Sequence, residues 1–299
     1  MTAHMRLILN GKQANDPGAR EAVETLRAEG HGVDVRVTWE DGDAARLVEE
    51  ALGQVDHIVA GGGDGTVNEV FAAAFRAGLP RGCALGILPL GTANDFARST
   101  GITVVDPLAA LRLAVTAAPH PIDIGLLDDT PFVNLVSGGF GSQVTAQTDP
   151  QLKSRLGPIA YVLTGLSRAK ELSTCRGRFR APDFSWEGSF VAFAIGNGRQ
   201  AGGGIPLCPE ALLDDGLLDL MILPAPASGI EALAALLREG ADLMRLGVVT
   251  RAPWIEFEGD EEIAINLDGE PQQRARFRAE CRPRALPVVL GNDALLVGD

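Results

Sequence analysis

Nowhere in this chain do apolar residues run for the roughly 18 positions that a membrane-spanning helix needs. The opening stretch, MTAHMRLILNG, also holds too short an apolar run for a secretory signal. A soluble, cytoplasmic protein without a transmembrane segment is therefore expected. Cysteine is scarce: Cys83, Cys175, Cys208 and Cys281 lie far apart with no C-x-x-C spacing. That excludes a zinc motif and a disulfide framework and leaves free thiols in a reducing compartment. Positive charge is short as well. With 26 Lys and Arg against 39 Asp and Glu the net charge is -13, the wrong sign for a general nucleic-acid binder, which needs basic surface to displace counterions.

What is present is a globular composition. At 299 residues and 46% hydrophobic content, the chain can bury sizeable cores and exceeds the usual single domain. Its first third alternates. The segments RLILN (6–10), VDVRVT (33–38), HIVA (57–60) and ALGIL (84–88) read as short buried strands. Helical patterns over 19–29, 44–52 and 67–77 lie between them. Such alternation implies a parallel sheet covered on both faces, with ligands binding beyond the carboxyl ends of its strands. From about residue 121 the texture becomes a series of strand-like segments with short turns, interrupted by helical patterns near 158–171 and 229–246. The expected fold class is an N-terminal α/β domain over 1–122 and a β-rich, mostly antiparallel domain over 123–284.

The stretch DHIVAGGGDGTVNEV, residues 56–70, runs from a strand through four glycines and an aspartate into an amphipathic helix. Glycines at 61, 62, 63 and 65 permit φ > 0 and let a backbone approach a ligand closely. Successive N–H groups at a helix N-terminus then suit a phosphate. The loop is neither a Walker A, having no following GK[ST], nor G-x-G-x-x-G, because Thr66 holds the last place. An empty strand-to-helix turn is the bland alternative, and four glycines in five positions exceed what a turn requires. A second loop, LGILPLGTANDFA (85–97), repeats the arrangement with Gly91, Thr92, Asn94 and Asp95. Asn94 or Asp95 could simply cap the next helix, but two loops following strands of one sheet should open onto one crevice.

The histidines, His4, His31, His57 and His120, lie in neither loop, so carboxylates are the candidate bases and metal ligands. Phosphoryl transfer suits that inventory. The segments DDGLLD (214–219) and NLDGEP (266–271) offer carboxylates in turns, and plain Asp-Gly turns explain them equally well.

Together, GGGDGTVNEV and LPLGTANDFA resemble the catalytic domain of the bacterial diacylglycerol/lipid kinases. VRVTWEDGDAARLVEEA, GNGRQAGGG, CPEALLDDGLLDL and NLDGEP narrow the resemblance to the YegS-type lipid kinases over nearly the whole chain. The resemblance implies a phosphofructokinase/NAD-kinase-like α/β domain that binds ATP and a β-sandwich-like second domain, with residues 285–299 packing back on the first. It places Thr38, Gly63, Asp64, Gly65, Thr66, Val67, Asn68, Glu69 and Thr92 at ATP. It gives a magnesium ion, with calcium as the alternative, to Asp215 and the main-chain carbonyls of Leu212 and Leu217, oxygens that a hard cation accepts. Glu270 matches the family's proton acceptor, with Asp64 near the phosphates as the other carboxylate able to take that role. The acceptor would be a free hydroxyl on a diacylglycerol- or phosphatidylglycerol-like lipid at the inner-membrane surface. An NAD kinase-like transferase and a non-catalytic nucleotide-binding regulator are the rival readings. Lys153, Arg155, Arg168, Lys170, Arg176, Arg178 and Arg180, set against Glu171 in residues 151–180, form a segment able to meet an anionic membrane or to serve as a solvated face. The nonpolar run 158–166 reads as an acyl-chain lining or a core helix.

Overall fold

The computed structural model describes residues 2–102, 104–139, 174–226 and 246–296. The chain divides into two compact units: Met1–Ile124 with Leu213–Asp215 and Pro283–Asp299, and Gly125–Leu212 with Gly216–Arg282.

The first unit begins β1 (His4–Asn10), α1 (Pro17–Ala28), β2 (Gly32–Thr38), α2 (Asp43–Glu49), β3 (His57–Gly62), α3 (Asp64–Ala77), β4 (Ala84–Pro89), α4 (Asp95–Ser99) and α5 (Pro107–Thr116). The strands pair in parallel in the order β4-β3-β1-β2. Consecutive residues of β1, β3 and β4 are buried, such as Leu7 and Ile8, Ile58 to Ala60, and Leu85 to Leu88. Successive strand side chains face opposite ways, so unbroken burial means that both faces of the sheet are covered. α1 packs on α5 and α2 on α3. α1 starts where Asp16 accepts the amide of Ala19, with Pro17 in the first turn, and it buries Ala19, Ala22, Val23 and Leu26 on one stripe. α5 is an addition to the sequence-based pattern. Its start carries the same signature, Asp106 accepting from Ala109 before Pro107, which periodicity alone does not register.

The last segment of the chain also belongs to this unit: Val288 pairs in parallel with Leu85. The amides of Gly291 and Leu295 donate to the carbonyls of Thr100 and Ser99.

β5 (Pro119–Leu127) leads into the second unit, which holds β6 (Thr130–Phe132), β7 (Leu135–Gly138), β8 (Cys175–Ala181), β9 (Phe184–Gly196), β10 (Gln200–Ala201), β11 (Ile205–Pro206), β12 (Leu218–Pro224), β13 (Val248–Ala252) and β14 (Trp254–Leu267). β15 (Glu270–Val289) begins there. Pairing is antiparallel, in the order β13-β12-β9, with β7 and β8 sharing the slot between β9 and β14 end to end. The core is aromatic. Phe179 lies 4.9 Å from Phe257 and 5.2 Å from Phe193, and Phe257 lies 5.1 Å from Phe277, ring centre to ring centre. The segments WIEFEG and EIAINL, which the strand-and-turn texture of the sequence separates, are one strand, β14, whose register against β15 shifts between Glu258 and Ile263. The ladder is interrupted over residues 259–262, where Glu258 faces Arg276 and Ile263 faces Arg274, without ending the strand. The helical patterns expected near 158–171 and 229–246 lie, but for Leu246, outside the described residues.

All four cysteines are buried and free. Burial pushes the Cys83 and Cys175 thiols up to about 11, well away from reactive thiolates.

Candidate nucleotide and phosphoryl-transfer site

The carboxyl ends of the parallel strands form a row, because register sets Thr38 beside Asn10 and Gly62 beside Pro89. From that row two loops emerge and touch. The amide of Leu90 donates to the carbonyl of Gly62 at 2.8 Å. A methyl group built on Gly91 would lie 2.4 Å from the Cα of Gly63, and one on Gly63 3.2 Å from the Cα of Gly91. The amide of Phe96 donates to Asp64 Oδ1 at 2.9 Å, tying the start of α4 to the start of α3. The convergence expected from two loops on one sheet is present.

The glycines divide by role. None of the four adopts a positive φ, contrary to the sequence-based expectation, and Gly63 is extended at φ -92 and ψ -171. Close packing is the reason for three of them. A Cβ on Gly61 would meet the Leu9 side chain at 2.6 Å, one on Gly62 the Thr66 hydroxyl at 2.5 Å, and Gly63 abuts Gly91. Gly65 is different: a Cβ there meets nothing within 4 Å. It lies exposed in the first turn of the 14-residue α3, whose N-cap, Gly63, offers no side chain to the first amides. The first-turn amides of α3 thus lack a side-chain cap and the space beside Gly65 is open; uncapped amides at the positive end of a helix dipole are able to bind a phosphate.

The remaining residues of the loops take distinct places. Thr66 is buried and its hydroxyl accepts from Asn10 Nδ2 at 3.1 Å. Val67 turns into the core, and its amide is spent on the carbonyl of Gly63. Asn68 carries an enclosed Oδ1 that meets no donor among the described residues. Glu69 and Thr92 are exposed, and Thr38 is half-buried at the end of β2. Asn94 shapes the second loop from the left-handed region, at φ 52. Its side chain accepts from the amide of Gly91 at 2.9 Å and donates to the carbonyl of Gly91 at 2.8 Å. Asn tolerates that backbone better than most residues. Asp95 is buried within α4.

In the second unit, NLDGEP forms a two-residue hairpin turn between β14 and β15, with Leu267 facing Glu270. Asp268 and Gly269 have φ of 45 and 103, the pair of positive values that Asp-Gly favours in such turns. Asp268 does more than turn the chain. Its carboxylate accepts from the amides of Val133 at 2.7 Å, Asn134 at 3.1 Å and Leu135 at 2.7 Å. These charge-assisted bonds fasten the hairpin to the segment between β6 and β7. Glu270, the first residue of β15, is left exposed at the fastened tip. Sequence reading identified the turn and missed the anchor, because three amides 133–135 residues away are close only in the fold.

The DDGLL turn has Gly216 at φ 76. Asp214 is buried against His120, with Oδ2 2.9 Å from Nε2, and Leu213 spends its amide on the carbonyl of Leu295 and its carbonyl on the amide of Asp123. Asp215, Leu212 and Leu217 are half-buried. No cluster of three or more His, Cys, Asp or Glu suited to a metal occurs among the described residues. A cation at this turn would rely on one carboxylate and main-chain carbonyls, a hard-oxygen donor set of the kind that magnesium and calcium accept.

The described part of the basic segment is not a bare positive face. Arg178 pairs with Glu187 at 2.5 Å, Arg176 lies 3.5 Å from Asp260, and Arg180 is registered opposite Glu256. The other four basic residues of that segment, and residues 158–166, lie outside the described residues.

The diacylglycerol kinase catalytic domain model matches residues 4–127, and the YegS C-terminal NAD kinase beta sandwich-like domain model matches 134–290. The chain belongs to the diacylglycerol kinase family, in its YegS-like lipid kinase branch. It is 52% identical over 286 residues to a Pseudomonas aeruginosa protein named "probable lipid kinase YegS-like", covering 95% of this chain and 93% of that one. A Xanthomonas oryzae protein of the same name is 48% identical over 309 residues, covering 99% of each. A solved structure described as a diacylglycerol kinase from Bacillus anthracis superposes with a TM-score of 0.80 at 25% identity, covering 97% of both chains.

Proposed function

We propose that this chain is an ATP-dependent lipid kinase that transfers a phosphoryl group to a free hydroxyl on a diacylglycerol- or phosphatidylglycerol-like lipid. The observation that carries the reading is the pair of abutting loops at the carboxyl edge of the sheet, with uncapped first-turn amides in α3 and open space beside Gly65. Relatives near half identity over almost the full length support the kinase class.

In this reading Gly65, Thr66 and the first turn of α3 hold the ATP phosphates, and Thr92 and Thr38 lie beside them along the strand ends. Glu69 and Asn68 supply further polar groups, while Val67 keeps α3 seated in the core. Asp64 holds the two loops together through Phe96 and sets a negative charge where cations and phosphate meet. Glu270 accepts the proton as the lipid hydroxyl oxygen bonds to the γ-phosphorus. The bond from that phosphorus to the bridging oxygen breaks, leaving ADP and a phosphate monoester. Its exposure at a fastened hairpin tip favours Glu270 for this task over Asp64, whose Oδ1 is committed to a backbone amide. A divalent cation, magnesium in our reading, would be held at Asp215 and the Leu212 and Leu217 carbonyls and would supply positive charge and order. No helix among the described residues is long and apolar enough to cross a membrane, and we assign the protein to the cytoplasm, with its lipid met at the inner-membrane surface.

The test is incubation with γ-labelled ATP, magnesium and separate acceptors: diacylglycerol, phosphatidylglycerol and NAD. Label in a lipid is the expected result. Label in NAD alone would move the chain to the NAD kinase reading, and no transfer to any acceptor would favour a nucleotide-binding regulator.

A further inference from the structure

Trp39 is 90% exposed, the most open large apolar side chain among the described residues. It directly follows Thr38, at the carboxyl end of β2. The neighbouring strand end, Asn10, reaches Thr66 in the first turn of α3. Strands β2, β1 and β3 are consecutive, and neighbouring strands lie about 4.8 Å apart, so Thr38 sits ~10 Å from the end of β3. A ribose with its nearest phosphates bridges such a gap. A nucleotide whose outer phosphates rest at Gly65 can therefore bring its base to Trp39.

The indole stands on a backbone that is already fixed. Asp43, buried at the start of α2, accepts from the amide of Trp39 at 2.7 Å and of Glu40 at 3.1 Å and pairs with Arg46 at 2.6 Å. With the backbone set before binding, only the two side-chain torsions of the indole remain to be ordered when a base stacks on it.

Charge decides what the indole meets. Glu40 and Asp41 follow it directly in the chain and are exposed. They would repel an anionic lipid surface, and they would turn a triphosphate away towards α3. The amino group of a base and the hydroxyls of a ribose are donors that carboxylates accept from.

We propose that Trp39 is the base platform of the nucleotide site: its indole stacks on the purine ring of ATP and sets a preference for purine over pyrimidine nucleotides. The inference rests on the reading of the Gly65 loop as the phosphate site. It adds a specificity-determining residue, because the larger ring overlaps more of the indole.

The experiment titrates ATP, CTP and inorganic tripolyphosphate into the full chain, its Trp39→Phe variant and its Trp39→Ala variant, by calorimetry and by tryptophan fluorescence. ATP should quench fluorescence in the parent, and the quench should be lost in Trp39→Phe with affinity nearly kept. Trp39→Ala should weaken ATP by about 5- to 150-fold, the range of base–aromatic stacking. It should narrow the ATP-to-CTP ratio and leave tripolyphosphate binding unchanged. Parent-like ATP affinity in a Trp39→Ala protein with an unchanged melting curve would overturn the platform while leaving the kinase reading intact. If that variant instead loses binding to phosphatidylglycerol vesicles at unchanged ATP affinity, the indole is a membrane contact and the proposal fails. A parent chain that binds neither ATP nor tripolyphosphate would overturn the phosphate site itself, and the platform with it.

Discussion

In the proposed reaction two carboxylates are candidates to accept the proton, and their surroundings differ. Asp64 stands at the start of α3 and binds the amide of Phe96, so a change there disturbs both loops. Glu270 is exposed at the tip of a hairpin whose shape is set by its neighbour Asp268. Glu270→Gln keeps the size and removes the base. Turnover should fall by about 10²–10⁴-fold, the usual share of a positioned general base, with ATP affinity nearly unchanged. Asp64→Asn should weaken nucleotide binding as well as rate, since it alters the charge beside the phosphates and the tie to α4. Steady-state kinetics together with nucleotide titrations on the two variants assign the roles. Parent-like turnover in Glu270→Gln would hand the base role to Asp64.

At the scale of elements, the glycine-rich turn shows how one pattern can have two causes. Gly61 and Gly62 are glycine because side chains of β1 and α3 press on them, and Gly63 because Gly91 does. Valine at any of the three would strain the loop itself, so lost activity would say nothing about ligands. Gly65 is the informative position. Gly65→Val adds a branched side chain where the protein has open space, so the fold should be kept and ATP binding should drop below detection. A melting temperature near the parent's combined with unchanged ATP affinity would remove α3 as the phosphate holder. The loop around Trp39 is equally well defined. Arg46 first, and then the amides of Trp39 and Glu40, hold the Asp43 carboxyl down at about 2. A depressed carboxyl contributes its stability above the usual carboxylate range and loses it only as pH falls through the lowered value. The loop therefore keeps its anchor through mildly acidic conditions.

For the whole molecule, Leu213–Asp215 belongs to the first unit while the residues on either side belong to the second. A cation bound at that turn stabilises the folded chain by mass action, by RT ln(1 + [L]/Kd). The parent's melting temperature should rise with added magnesium, and Asp215→Ala should flatten that rise, with activity partly restored at high magnesium. Calcium in a parallel series compares the two ions. Identical magnesium dependence in the two proteins would leave DDGLL as a turn and nothing more.

Local pattern was enough to place the alternating strands and helices, because burial on both faces of a parallel sheet writes β1, β3 and β4 as short unbroken apolar runs; β2, expected to be buried like them, is the edge strand, with Val33 its one buried residue. The two Gly-rich loops were legible for the same reason: each sits at a change from strand to helix. The Asp-Gly hairpin was legible because two successive positive φ values favour those residues. The helix α5 was not, since a short apolar stretch becomes a helix here through its Asp-Pro start and its packing on α1. Only the tertiary structure could separate packing glycines from the one that faces open space. It alone could bring Asp268 to three amides far away in sequence, and set the arginines of β8 opposite acids on β9 and β14. It also left the indole of Trp39 standing in solvent at the strand ends. Sequence carries propensity and period, which are local, whereas exposure, charge pairing and the space beside an atom depend on what the rest of the chain brings near.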